Sequence, residues 1–447
     1  MMDKSTLFLF IPSYVHITDL LQTGFVSDLS HRYRVVMFLP TSYQAKDYPS
    51  LASDAVLVNW TVQRPAFWGR FKILRLGLIR EFDNLLSIQT HYQTGFNDWR
   101  RCFLRVISVV TPFLTARFFT RIESLFFPVV ADFSYYCNKY RPRAVVVCTP
   151  GFTDLEAEAI ILAKKAGLLT LAINFSWDNL TTNSKHIRHT DYLITWNEAI
   201  KAEAIKIHHY DTSHIIVSGS MRFDIYFSEH GSLQSRELNG ESFNGLPLVL
   251  LTTTSHGVYP FHVDLVRLLL LFRNLKMTSP FYLLVRVHPK DDSEKYAAFS
   301  SETDFSLELA GHPRLLIRGS RNRVELTNDD LSHLRSLLKR ASLAINYSST
   351  LSLEALACNC PVVNIGFPKM LSLQHYNYEH YRPIITSGAV QFAETEKDLL
   401  RLINHNLTGQ KVRPPQQLVE KFFYKTDGHA KKRCLDAVDR ILKGICQ

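Results

Sequence analysis

Short apolar runs separated by amphipathic stretches fill most of the chain. Thr6–Pro12, Arg34–Pro40, Ala55–Trp60, Ala144–Pro150, Leu169–Phe175, Tyr192–Trp196 and Ile215–Ser218 carry apolar residues, many of them Val, Ile and Leu, at consecutive positions. Consecutive rather than alternating apolar positions predict strands buried on both faces. Between them, Asp19–His31, Asp154–Ala166 and Asn197–His209 show helical spacing. Such strand–helix alternation predicts a parallel sheet covered by helices. The polar stretch 228–246, with its Gly and Ser residues, interrupts the pattern and reads as a linker. Alternation then resumes. Pro247–Thr254, Phe281–His288, Leu315–Arg318, Leu343–Tyr347 and Pro361–Phe367 read as strands, and Tyr259–Lys276, Thr327–Ala341 and Ser349–Ala357 as helices. The expectation is an α/β chain with two parallel-sheet domains facing across a cleft. The first spans 1–227, with a helical insertion at about 64–141. The second spans 247–426, and a last helix covers 427–447.

Composition narrows the class. Of 447 residues, 46% are hydrophobic and 21% charged, the balance of a globular chain with a large core. The apolar runs Ser5–Thr18 and Ala355–Pro368 contain proline and fall short of the ~18 residues a spanning helix needs. The N-terminal run stops at Pro12 with no small-residue cleavage site, so no signal peptide is expected. The seven cysteines include no C-x-x-C pair, which argues against a zinc site or a disulfide framework and for a reducing, cytoplasmic setting. Net charge is +10, which suits phosphorylated substrates or an anionic membrane surface. No nucleic-acid module is present, and nucleic acid is not expected as a partner. The segment from Arg64 to Arg80 interleaves Arg64, Arg70, Lys72, Arg75 and Arg80 with Phe67, Trp68 and Phe71. It reads either as an interfacial patch at the inner face of a membrane or as a helix with a solvated basic face. G-x-G-x-x-G, Walker A, G-x-S-x-G and H-E-x-x-H motifs are all missing.

Two segments of the second half carry chemistry. Leu284–Lys290 ends a buried strand in His288-Pro289, with Arg286 and Lys290 alongside. Proline holds the preceding residue extended, so His288 stands at a strand end, able to donate to an anionic oxygen. Ala344–Ala355 runs from a strand through Ser348-Ser349-Thr350 into a helix. Hydroxyls and free N–H groups there suit an anion, and Glu354 lies within reach of a ribose hydroxyl. Each segment alone also fits a capped turn. In the first half, residues following strands are the carboxylates Asp154, Glu156 and Asp178, and His16. A general base is sought among them, although Asp154 also suits a helix N-cap and Asp178-Asn179 a plain turn. Trp177 offers a ring for stacking on a sugar, with Asn179 beside it.

Together the His-Pro and Ser-Ser-Thr segments resemble the C-terminal half of GT-B glycosyltransferases. They are similar to the His-Pro and Ser motifs of bacterial sialyltransferases and CDP-glycerol glycerophosphotransferases. Cys358-Asn359-Cys360-Pro361-Val362-Val363 and the Asp427–Arg433 segment fit the same group. Ser176-Trp177-Asp178-Asn179-Leu180, Asp191–Glu198, Val217–Ser220 and Phe223-Asp224 resemble bacterial surface-polysaccharide glycosyltransferases. The resemblance covers about 143–224 and 248–433. It implies a GT-B fold and phosphate contacts from His288, Ser348, Ser349 and Thr350, supported by Arg286 or Lys290. It implies a nucleotide-sugar donor, a saccharide or lipid-linked acceptor and no metal or other cofactor. The expected activity is glycosyl transfer in cell-surface polysaccharide synthesis. A nucleotide-sugar 2-epimerase, a polyol-phosphate transferase and a non-catalytic membrane-facing module stand as alternatives.

Overall fold

The computed structural model describes residues 4–13, 16, 19–21, 23–43, 55–63, 85–87, 99, 102, 106, 130–151, 153–174, 176–182, 189–228, 243–288, 291–310, 328–368, 375–409 and 414–444. Several expectations lie outside these residues: the basic segment 64–80, most of the insertion, the greater part of the 228–246 linker, the strand at Leu315–Arg318, and Pro289-Lys290. The chain divides into two compact units. One comprises Met1–Arg222, Phe423–Lys425 and His429–Gln447; the other comprises Phe223–Phe422 and Thr426–Gly428.

The first unit is built on β1 (Thr6–Phe10), β2 (Arg34–Pro40), β3 (Val56–Trp60), β4 (Pro142–Val147), β5 (Leu169–Ile173), β6 (Tyr192–Thr195) and β7 (Ile215–Val217). Their order is β3-β2-β1-β4-β5-β6-β7, and every pairing is parallel. All of β1 and Val35–Leu39 of β2 are buried, as the unbroken apolar runs predict. Phe10 stacks on Phe38 at 4.3 Å, and Trp60 meets both rings edge-on. The helices are α1 (Phe25–Arg32), α2 (Ala131–Tyr140), α3 (Asp154–Lys165) and α4 (Glu198–His208). The single helix expected over Asp19–His31 is split. Gly24 sits at φ +66° and its N–H bonds to the Leu21 carbonyl, a left-handed step that ends one helical run before α1 begins.

The second unit repeats the plan. It contains β8 (Leu248–Thr252), β9 (Tyr282–Val287), β10 (Phe305–Leu309), β11 (Leu343–Asn346), β12 (Val362–Ile365) and β13 (Gln391–Ala393). They are ordered β10-β9-β8-β11-β12-β13, again all parallel. Strands β10 and β13 were not expected. Both are short edge strands with partly exposed, mixed sequences, which leave little apolar signal. The helices are α5 (Asp224–Phe227), α6 (His262–Asn274), α7 (Asn328–Arg340), α8 (Leu351–Ala357), α9 (Arg382–Thr386), α10 (Glu396–Thr408) and α11 (Gln416–Phe423).

The last helix, α12 (Ala430–Leu442), is no separate tail. It packs in the first unit and buries Cys434, Leu435, Val438 and Ile441. Lys431 pairs with Asp28 at 2.7 Å, and Arg32 with Asp439 at 2.6 Å.

Candidate functional site

Both sheets change direction of winding at their first strand, between β1 and β4 and between β8 and β11. In open parallel sheets ligands bind beyond the carboxyl ends of strands at such a switch point. In the second unit, the ends of β9 and β11 flank β8, roughly 10 Å apart at two strand spacings.

His288 follows β9 directly and is half-buried. Its N–H donates to Thr253 Oγ1 at 2.8 Å, and its carbonyl accepts from the Asp291 N–H at 2.8 Å. The loop is held from below. Tyr296 donates its hydroxyl to Asp291 Oδ2 at 2.7 Å, and His262 Nδ1 lies 3.9 Å from the same oxygen. His262 Nε2 accepts from the Thr254 N–H at 3.1 Å, and burial lowers its pKa to about 4. A neutral imidazole is what that acceptor role requires.

Across β8, Ser348 stands at φ +39° in the turn after β11, uncommon for a residue with a Cβ. Two tyrosines over-determine the turn. Tyr376 Oη accepts from the Ser348 N–H at 3.0 Å and donates to the Ile365 carbonyl. Tyr381 Oη donates to the Ser349 carbonyl at 3.1 Å. Beneath them Ser352, Asn346 and Asn364, all fully buried, close a side-chain network with Tyr381. Ser349 Oγ accepts from the Leu351 N–H, so this hydroxyl caps α8, while Thr350 makes no side-chain cap bond. The N–H groups of Ser349 and Thr350 donate to no described residue. With seven residues, α8 has only a short dipole. Tyr347 stacks on Tyr259 at 4.5 Å, joining the ends of β11 and β8.

Arg286 is placed differently from the expectation. It lies within β9, 5% exposed, and pairs with Glu308, its register partner on β10. Glu308 also takes His333 Nε2 at 2.6 Å. Burial lowers the guanidinium's pKa, against the fields of Asp330, Tyr226 and Glu354. Glu354 is buried as well, at 5% exposure. These two charges belong to the floor of the region. Lys290 is outside the described residues.

In the first unit, Thr153 and not Asp154 is the N-cap of α3, forming a capping box with Glu156. Asp154 is the first helical residue and is half-buried. Glu156 is fully buried, bonded to the Thr149 N–H at 2.7 Å and to the Thr149 and Thr153 hydroxyls. Burial raises its pKa to about 7, and that of its buried neighbour Glu158 likewise. Asp178 sits in a turn whose backbone carbonyl accepts from Thr181 and Thr182. Asn179 Oδ1 accepts from the Ser176 N–H at 2.8 Å and so closes the Ser176–Leu180 turn, in which Trp177 and Asp178 are half-buried. His16 Nδ1 lies 2.7 Å from Ser13 Oγ, and burial lowers its pKa to about 4. That makes it a weak proton acceptor. Thr253, Tyr376 and Tyr381 escaped the sequence reading because their partners His288, Ser348 and Ser349 are distant in the chain. Among the described residues, no three His, Cys, Asp or Glu side chains are grouped to hold a metal ion. No described helix is long and apolar enough to cross a membrane.

No protein-family model and no curated protein sequence matches the chain. Solved structures do. The UDP-N-acetylglucosamine 2-epimerase of Rickettsia bellii aligns with TM-score 0.54 and 14% identity, over 99% of this chain and 98% of that one. The UDP-GlcNAc 2-epimerase of Neisseria meningitidis, bound to UDP-GlcNAc, aligns with TM-score 0.53 and 10% identity, over 98% and 100%. A glycosyltransferase from Rickettsia africae aligns with TM-score 0.51 and 12% identity, over 99% of each chain. The fold is therefore of the GT-B type, two parallel-sheet α/β units.

Proposed function

We propose that the chain is an enzyme of nucleotide-sugar chemistry that holds the diphosphate of its substrate at the carboxyl edge of the second sheet. The observation that carries this reading is the pairing of His288 with the rigid Ser348–Thr350 turn on either side of the β8 end, where the Ser349 and Thr350 N–H groups have no described acceptor. A diphosphate oxygen would accept from those N–H groups and from the imidazole.

The reaction proposed first is 2-epimerisation of a UDP-sugar, supported by full-length likeness to UDP-GlcNAc 2-epimerases, one of them bound to UDP-GlcNAc. Asp178 and Asp154 are the carboxylates proposed for proton transfer. Glycosyl transfer to a saccharide or lipid-linked acceptor is the second reading. The Ser176–Leu180 segment and the Rickettsia africae neighbour favour it. In that reading the same carboxylates would deprotonate the acceptor hydroxyl, with Trp177 and Asn179 against the sugar.

One experiment separates the two. The protein is incubated with UDP-GlcNAc alone and followed by proton NMR. An epimerase yields the C2 epimer without any acceptor. A glycosyltransferase leaves the donor intact until a saccharide acceptor is added, then releases nucleotide. Absence of both activities, together with no UDP binding by calorimetry, overturns the proposal.

A further inference from the structure

We propose that the amino edge of the first sheet docks on an anionic lipid bilayer. This surface belongs to the first unit and does not depend on the nucleotide reading of the second.

The surface forms where α2 runs out into β4. Arg141 sits at φ +47°, a left-handed step that ends α2 after Tyr140 and starts β4 at Pro142. Register sets Thr6 of β1 against Arg34 of β2 on one side and Pro142 of β4 on the other. Three strand starts and the end of α2 thus share one edge. The Arg34 guanidinium lies 4.9 Å from the centre of the Tyr140 ring. Lys139 Nζ lies 5.2 Å from that ring and 5.5 Å from the ring of Tyr135. These are cation–π distances. Arg34, Lys139 and Arg141 are all exposed, as are Lys4 before β1 and Arg143 in β4.

None of these five cations pairs with a carboxylate of a described residue. Asp436 and Asp439 of α12 are taken by Arg32 and Tyr33. Asp132 stands in the first turn of α2, about two turns before Lys139. Like charges gathered without counter-charge favour an anionic partner. The rings narrow the choice. Tyr136 packs on Phe38 at 5.4 Å and stacks on Tyr140 at 6.3 Å, which ties the aromatic group to the core. Tyr135 is 56% exposed. Tyrosines with wet tips beside long cationic side chains are the composition of a membrane–water interface. The cations stand on strand starts and on the end of one helix, so no recognition helix or ribbon is offered to a nucleic-acid groove. A plane of lipid phosphates meets a whole edge at once. Held this way, the first unit turns the carboxyl edge of its own sheet, where Asp154 and Asp178 stand, toward the aqueous phase.

Binding is measured by co-sedimentation of the full chain with vesicles of equimolar phosphatidylcholine and phosphatidylglycerol at low salt. Pure phosphatidylcholine vesicles and a DNA duplex are the other arms. The test variant combines Arg34→Gln, Lys139→Gln and Arg141→Asn, the last because asparagine tolerates a left-handed backbone. The wild type should bind the anionic vesicles and not the neutral ones. The triple variant should bind at least about tenfold more weakly, since each cation near an anionic surface strengthens binding by about fivefold. An equal loss of charge from exposed positions of the second unit, Lys397→Gln, Arg401→Gln and Lys421→Gln, should leave binding unchanged. Tyr135→Gln, which keeps every charge of the patch, should weaken vesicle binding separately. The proposal is overturned if the wild type does not bind, if the triple variant binds equally well, or if the second-unit control loses as much. Tighter binding to the duplex than to the vesicles overturns it in favour of nucleic acid.

Discussion

Ser352 shows how one hydroxyl can organise a site. Its oxygen lies within bonding distance of Asn346, Asn364 and Tyr381, all buried, and Tyr381 in turn fixes the Ser349 carbonyl. Removing it leaves several buried polar groups short of a partner. Ser352→Ala is expected to lower stability by about 1–3 kcal/mol in urea denaturation, more than a surface serine would. His288 is different: it is half-buried, and its backbone N–H donates to Thr253. His288→Ala should therefore leave stability nearly unchanged and weaken UDP binding by about 1.5–3 kcal/mol in calorimetry, the range of a lost charge-assisted bond. Unchanged UDP affinity would remove His288 from the proposed phosphate site. Legibility differs within this one site. His288 and Ser348–Thr350 are visible in the sequence because a proline and a run of hydroxyl residues mark strand ends. Tyr376 and Tyr381 are not, since nothing local tells a tyrosine which turn it will brace.

At the scale of elements, α12 closes the first unit although it comes last in the chain. Its apolar face is buried, and its Arg433 Nε donates to the Ser218 carbonyl at 2.7 Å. Burying side chains of this size contributes about 1.5–3 kcal/mol each, far more than its exposed ion pairs. Deleting residues 430–447 is thus expected to abolish the cooperative unfolding transition of the first unit, measured by near-UV circular dichroism against denaturant. Gly219 sits where α12 meets the strand end. It has φ +86°, and an added Cβ would lie 3.0 Å from Ala430 Cβ and 3.2 Å from the Phe423 carbonyl. Gly219→Ala should cost more than about 1 kcal/mol, from backbone strain and from contact together. A stability equal to wild type would show that α12 shifts freely.

Over the whole molecule, buried ionisable groups shape the response to pH. Glu156 and Glu158 have pKa values raised to about 7 by burial. The folded state holds their protons more tightly than the unfolded chain does, so their stabilisation is full below about pH 4.5 and is lost as pH rises through 7. His16 and His262 are lowered to about 4 by burial. Their stabilisation is full above about pH 6.5 and is lost as pH falls through 4. Between pH 4.5 and 6.5 the two pairs act with opposite sign and offset each other. Glu156→Gln removes one carboxyl from this balance. Its stability relative to wild type should rise by on the order of 1–3 kcal/mol between pH 4.5 and 8. Thermal melts across that range check it, and a constant difference between the two proteins would rule the coupling out.

Local pattern alone determined where most strands run and that both sheets are parallel. A strand buried on both faces must be apolar throughout, and that demand is written in consecutive residues. The pattern also stops and restarts around 228–246, whereas the two units of the fold divide at Arg222 and Phe223. Tertiary structure decided the rest. Arg286 reads as a phosphate ligand until β10 pairs with β9 and sets Glu308 beside it. Asp154 reads as a cap until Thr153 and Glu156 close around the helix start. The final helix reads only as a last helix until its apolar face packs against α1 and β6 of the first unit. In each case the partner lies elsewhere in space or competes within the same turn. A side chain's role is set by the neighbour that wins its hydrogen bond or charge, and that contest takes place only in the folded chain.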